Sequence, residues 1–245
     1  MNKLYNIGDS FAYGNCLKTF EEFATDGNGN IIHRSLGDFI ADELGYEHIN
    51  LASPGLSPDG VLRRLYTNNF DEIDSLLLVG IPPENRFQTV GRFPREQHRD
   101  RSYYNGTEFK AKAFMYGPEM ETDMFRTHSY LSGRLKNINE EQSCTFNSWF
   151  NILLIQKRLR ELNLPYVIYN CVYSTWNNKT KLRESNAIKE QINETNYFQP
   201  EYGIQDLVLT DKKYQVARDD PHPNHACYAV WCKKLINYIK NEKII

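Results

Sequence analysis

Residues 4–14 read LYNIGDSFAYG, and the fold of the chain turns on how this stretch is placed. LYNIG (4–8) has the apolar character of a short buried strand, and Gly-Asp-Ser-Phe then offers residues suited to a tight turn or a helix start. Ser10 therefore has two readings. It could cap the first helix, because serine and aspartate oxygens accept hydrogen bonds from the first turn. It could instead be a nucleophile presented on a loop directly after a strand.

The sequence beyond this point repeats the strand-then-helix beat. RSLGDFIADELG (34–45) places apolar residues at 36, 39, 40 and 44, a helical stripe closed by Gly45. HINLA (48–52) is a second short strand and PDGVLRRLYTNNF (58–70) a second helix. DSLLLVGI (74–81) is so continuously apolar that it must be a strand covered on both faces, which makes the sheet parallel. After an aperiodic stretch, FNSWFNILLIQKRLRELN (146–163) reads as a long amphipathic helix and PYVIYNCVY (165–173) as another buried strand. Polar sequence rich in Asn, Lys and Glu follows. HACYAVWCKKLINYIK (225–240) is the last helix, with Tyr228, Trp231, Leu235 and Tyr238 or Ile239 on one face.

Strands alternating with helices imply right-handed crossovers and a doubly wound α/β sheet, with functional groups gathered at the carboxyl ends of the strands. We read residues 1–245 as one domain with an insertion at about 82–141, where no period is visible. The insertion carries Phe93, Tyr103, Tyr104, Phe109, Phe114 and Tyr116, which suit either a lid or wall over a substrate or a small satellite core.

Composition excludes several functions. The 29 basic and 31 acidic residues nearly cancel and form no basic run, so a nucleic-acid partner is not expected. No stretch approaches the ~18 apolar residues of a membrane span, and the first apolar run is too short for a signal-peptide core, which points to the cytoplasm. The cysteines at 16, 144, 171, 227 and 232 are scattered and odd in number, as befits reduced core thiols. The six histidines never pair at ligand spacing with acids or cysteines, and no Gly-rich phosphate loop follows the first strand. Neither a metal nor a cofactor is expected.

The chemistry-bearing segment is RDDPHPNHACY (218–228). Asp219 stands three residues before His222, and Pro221 and Pro223 stiffen the chain around the imidazole. A carboxylate at that spacing can accept the Nδ1 proton, fixing the tautomer that leaves Nε2 free to take a proton from a hydroxyl. Ser10 is its natural partner. Acyl transfer also needs donors aimed at the developing oxyanion. Candidates are the backbone N–H groups of Ser10 and of Gly55 in NLASPGLSPDG (50–60), with a third donor expected near VGIPPENR (79–86). Asp9 and Asn50 are expected to bond backbone groups around their turns.

These residues resemble the SGNH, or GDSL-type, hydrolase superfamily, in GDSF (8–11), NLASPG (50–55) and DDPHPNHACY (219–228), in family order across the whole chain. The resemblance implies a flavodoxin-like three-layer α/β/α sandwich, Ser10 as nucleophile, His222 as base and Asp219 as its orienting acid. The third block departs. The family has Gly-x-Asn-Asp, whose asparagine donates to the oxyanion, whereas Ile81, Pro82 and Pro83 follow Gly80 here, and Pro82 has no N–H to give. Asn85 is the substitute donor and Arg86 a candidate substrate contact. A subgroup of bacterial and phage sequences is similar in having Gly-x-x-x-x-x-Arg at this point.

The function these residues support is a serine hydrolase acting on a small acyl ester, with an O-acetylated carbohydrate as one candidate substrate. The alternative is a non-catalytic glycan- or partner-binding module on a degenerate SGNH fold, a reading favoured by the lost asparagine. A nucleophile elbow of the α/β-hydrolase kind is discarded because it follows several strands, not the first.

Overall fold

A computed structural model describes residues 2–14, 34–70, 75–83, 86–91, 110–115, 140–178, 182–217 and 220–245. Its centre is a parallel sheet of β1 (Lys3–Ile7), β2 (Glu47–Asn50), β3 (Ser75–Ile81) and β6 (Tyr166–Asn170), in the order β2-β1-β3-β6. Tyr5 pairs with Ile49 on one side and with Leu77 on the other, so β1 lies inside the sheet and its carboxyl end opens onto the middle of one rim.

Side-chain alternation along each strand sorts the core into two layers. Leu4, Leu76, Leu78, Val167 and Tyr169 point to one face. There they meet α1 (Ser10–Tyr13), α2 (Leu36–Leu44), α6 (Ile204–Thr210) and α7 (His225–Asn241). Tyr5, Ile7, Leu77, Val79, Ile81 and Ile168 point to the other, against α3 (Pro58–Thr67) and the long α4 (Glu140–Leu162). The result is the three-layer α/β sandwich expected from the sequence. All seven residues of β3 are buried, as its unbroken apolar run requires. On α7 the buried stripe contains Tyr228, Trp231, Leu235 and Ile239, while Tyr238 reaches out to donate to the Thr195 carbonyl.

Helix ends follow the residues that can close them. Ser35 and Asp38 form a reciprocal capping box on α2, and Gly45 ends that helix at φ 71°, a left-handed conformation natural to glycine. Asp38 also pairs with His48 on β2 at 2.6 Å. Burial pushes the Asp38 carboxyl up, but the hydrogen bonds from His48 and from the Ser35 N–H outweigh it and leave the group below the usual carboxylate range. A depressed folded-state value means that this contribution to stability is present above the ordinary carboxylate range and is lost as pH falls through the folded one. Asp38→Asn should therefore lower stability near neutrality and lose less than the wild type on acidification, which denaturant melts at pH 7 and pH 3.5 would check.

Two regions differ from the sequence reading. The polar stretch after β6 holds α5 (Arg183–Lys189), α6, a 3₁₀ turn at Lys212–Tyr214 and an antiparallel pair, β7 (Gln215–Ala217) with β8 (Asp220–Pro223). Helices of seven residues are too short to show a periodic stripe. A four-residue strand containing two prolines carries none of the usual strand signals. In the insertion, β4 (Arg86–Gly91) and β5 (Lys110–Met115) pair antiparallel, with Phe87 opposite Phe114. Phe93, Tyr103, Tyr104, Phe109 and Tyr116 lie outside the described residues. Cys171, Cys227 and Cys232 are buried, and burial pushes the Cys227 thiol up to about 12. Cys16 lies outside the described residues.

Candidate active site

The site begins with a helix too short to hold itself. The four residues of α1 cannot nucleate an isolated helix, because a single turn fixes many dihedrals for little hydrogen bonding. Its polar groups are instead taken up by the surrounding fold. Asp9 is the N-cap, its Oδ1 accepting from the Phe11 N–H at 2.9 Å. Gly14 ends the turn at φ 73° and donates to the Ser10 carbonyl at 3.0 Å. Asn6 on β1 donates through Nδ2 to the Ala12 carbonyl at 2.9 Å, and the Tyr228 hydroxyl donates to the Phe11 carbonyl at 2.7 Å. The capping explanation of Ser10 is thereby removed: Asp9 does that work, and Ser10 is the first residue of the helix, only 6 % exposed.

The Ser10 hydroxyl faces histidine. Its Oγ lies 3.3 Å from His222 Nε2, across 212 positions of sequence. That is longer than an ideal hydrogen bond between these atoms, and such contacts commonly shorten once substrate is bound. His222 sits on β8, and its ring packs on Phe11 with centroids 4.9 Å apart and planes tilted by 32°. The next turn of chain is pinned by Asn224. Its Oδ1 caps α7 by accepting from the Cys227 N–H at 3.1 Å, and its Nδ2 donates to the carbonyls of Lys213 and Gln215.

The loop after β2 is tied to the same rim. The Ser53 N–H donates to the Gly8 carbonyl at 2.9 Å, and the Leu56 N–H to the Ser53 carbonyl at 3.1 Å. These bonds close a turn over Pro54 and Gly55, and Gly55 takes φ 76°, which glycine adopts without strain. Asn50 accepts from the Ala52 N–H at 3.0 Å, the backbone role expected for it.

Below the Ser10 turn the strands pack with no space for extra atoms. A Cβ on Gly80 would meet Cys171 Sγ at 2.3 Å and the Tyr169 hydroxyl at 2.8 Å, and one on Gly8 would meet Ala12 Cβ at 2.6 Å. The Tyr169 hydroxyl donates to Asn6 Oδ1 at 3.3 Å, and burial keeps this phenol protonated well above its ordinary range.

No protein-family model and no curated protein sequence matches the chain. Solved structures do. A carbohydrate esterase, described as one whose active site displays divergent catalytic and non-catalytic binding functions, superposes with a TM-score of 0.50. The match covers 98 % of this chain and 68 % of that one, at 12 % identity. The chain shares the three-layer α/β fold of that esterase. Two further similarities are to a protein assigned as lipolytic in the G-D-S-L family from Desulfitobacterium hafniense DCB-2 and to the lipase/acylhydrolase from Enterococcus faecalis. Both have a TM-score of 0.46, at 11 % and 13 % identity. They cover 97 % and 98 % of this chain, and 99 % and 96 % of their own. At these identities the likeness is one of fold.

On this fold the described residues join Ser10 to His222, and a hydrogen bond from Ser53 ties the Gly55 turn to the Ser10 loop through Gly8. Asp219 and Asn85 lie outside the described residues. Arg86 opens β4, its backbone opposite Met115. Ile81, Pro82 and Pro83 are buried. Sequence reasoning missed Asn6, Asn224 and Tyr228 as supports of the site. Asn224 had a usable signal, an asparagine immediately before a helical stripe, but the bond from Tyr228 to Phe11 joins residues 217 apart and no local pattern reveals it.

Proposed function

We propose that this protein is a serine ester hydrolase in which Ser10 is the nucleophile and His222 the general base. The observation that carries this reading is the 3.3 Å approach of Ser10 Oγ to His222 Nε2 at the carboxyl end of the central strand. As Ser10 Oγ bonds to the ester carbonyl carbon, its proton passes to Nε2, and the carbonyl oxygen takes the negative charge. Collapse of that intermediate breaks the bond to the alcohol, which leaves with the proton from His222. Water then attacks the acyl-enzyme, gives its proton to His222, and the acid departs as Ser10 regains its hydrogen.

In this scheme Asp219 orients the imidazole through Nδ1. The N–H groups of Ser10 and Gly55 and the side chain of Asn85 stabilise the oxyanion, and Arg86 contacts the substrate. The Gly55 N–H lies in the middle of its turn, where a backbone donor is not used by the turn itself. The substrate is a small acyl ester, with an acetylated carbohydrate as the specific candidate. The second reading, a non-catalytic binding module, is favoured by Pro82 at the place where the family donates to the oxyanion.

Two measurements on the wild type separate these readings: hydrolysis of p-nitrophenyl acetate, and labelling by a fluorophosphonate followed by peptide mass spectrometry. The hydrolase is expected to turn over the ester and to carry one phosphonyl adduct on Ser10. A folded protein that does neither is a binding module.

A further inference from the structure

The geometry points to Tyr228 as a positioning residue for both reacting groups. This inference rests on the assignment of Ser10 and His222 above, and adds a residue that touches neither of them through its hydroxyl. Tyr228 lies one turn into α7, just after the segment that carries His222, and its side chain is 1 % exposed. Its hydroxyl donates at 2.7 Å to the carbonyl of Phe11, the residue that follows the nucleophile. Phe11 is the hinge of the arrangement: its backbone continues the Ser10 turn, and its ring lies against the His222 imidazole at 4.9 Å.

One hydrogen bond therefore locates two things. Because α1 is a single turn, the direction of the Ser10 hydroxyl depends on outside groups taking its carbonyls, and Tyr228 and Asn6 take two adjacent ones. Because the Phe11 ring contacts the imidazole, a shift of α1 also moves the surface against which His222 rests. Loss of the hydroxyl frees the turn to drift relative to α7, and the Ser10–His222 separation opens. A misplacement of about 1 Å between reacting groups can cost about 100-fold in rate. The benzene ring of Tyr228 meanwhile belongs to the core around Phe39 and Trp231, so Tyr228→Phe keeps the packing and removes the hydroxyl.

The test compares Tyr228→Phe with Leu235→Ala, a core truncation two turns further along α7. For Tyr228→Phe we expect kcat on p-nitrophenyl acetate to fall about 10- to 100-fold with KM within about twofold of the wild type. Fluorophosphonate labelling should slow by the same factor, and the ¹⁵N signals of the His222 ring should move. Leu235→Ala should melt at lower temperature yet keep its kcat and its His222 signals. If Tyr228→Phe keeps kcat and labelling rate within twofold while its melting temperature falls, the tyrosine is structural only and the inference is overturned. If the wild type neither turns over nor labels, the hydrolase assignment fails on its own. The ¹⁵N signals then decide the positioning role, which stands if they shift in Tyr228→Phe and falls if they do not.

Discussion

Ser10→Ala is expected to lower kcat for p-nitrophenyl acetate by roughly 10⁴- to 10⁶-fold, the range seen when a serine nucleophile is removed from other hydrolases. The structure adds a condition that makes the result interpretable. Ser10 is the first residue of α1 and does not supply its cap, because Asp9 accepts from the Phe11 N–H. Alanine at that position keeps the helix, its cap and its Gly14 closure and loses only the contact with His222, so stability should change by no more than about 1.5 kcal/mol. The comparison to make is turnover beside a denaturant melt of the same preparations. Lost turnover with a melt inside that limit assigns the chemistry to the hydroxyl. Turnover retained within tenfold would sink the nucleophile.

Gly80→Ala should be strongly damaging to folding, costing about 2–4 kcal/mol. Its added methyl would sit 2.3 Å from Cys171 Sγ and 2.8 Å from the Tyr169 hydroxyl. Cys171 and Tyr169 are both fully buried, and β3 is hydrogen-bonded on both sides, by β1 and by β6. Either these two buried side chains or the strand itself must shift to admit the methyl. Chemical denaturation measures the loss, and Cys171→Ala gives a second arm. With Sγ deleted, the penalty for Gly80→Ala should shrink but not vanish, because the Tyr169 hydroxyl still crowds the site. A cost under about 1 kcal/mol in the otherwise native protein would show that this contact is softer than its geometry indicates.

The sequence carries the sheet because burial on both faces leaves a plain mark. The unbroken run of β3, and the apolar residues of β1 and β6, can only be satisfied inside a covered parallel sheet. The long helices were legible for the same reason, as stripes many turns long, although α4 starts at Glu140, before the first apolar repeat. The elements around His222 left no such mark. β8 is four residues with two prolines, and its place is decided by β7, by the Asn224 bonds to Lys213 and Gln215, and by Phe11 from the far end of the chain.

The site was legible to the extent that its chemistry is local. A carboxylate three residues from a histidine and a serine after a first strand are readable as residue types. What holds the serine turn is not: Asn6, Tyr169 and Tyr228 act through tertiary bonds between residues whose sequence separations run from 6 to 217. Read without Asp219 and His222, Ser10 was open between cap and nucleophile. A neighbouring aspartate settled the first half of that question, because two residues competed for one capping position and only one side chain could be aimed at the Phe11 N–H.

The separation of 212 positions between Ser10 and His222 also has a consequence in time. A ribosome adds about 5–20 residues each second, so roughly 10–40 s pass between the synthesis of the serine and that of the histidine. During that interval the serine lacks the histidine that the proposed mechanism makes its base. The Phe11 carbonyl has no tyrosine, and the sheet face that α7 will cover is bare. On the proposed mechanism the nascent chain is thus chemically silent while it is most exposed to other molecules, and the reactivity of the serine arrives together with the last helix.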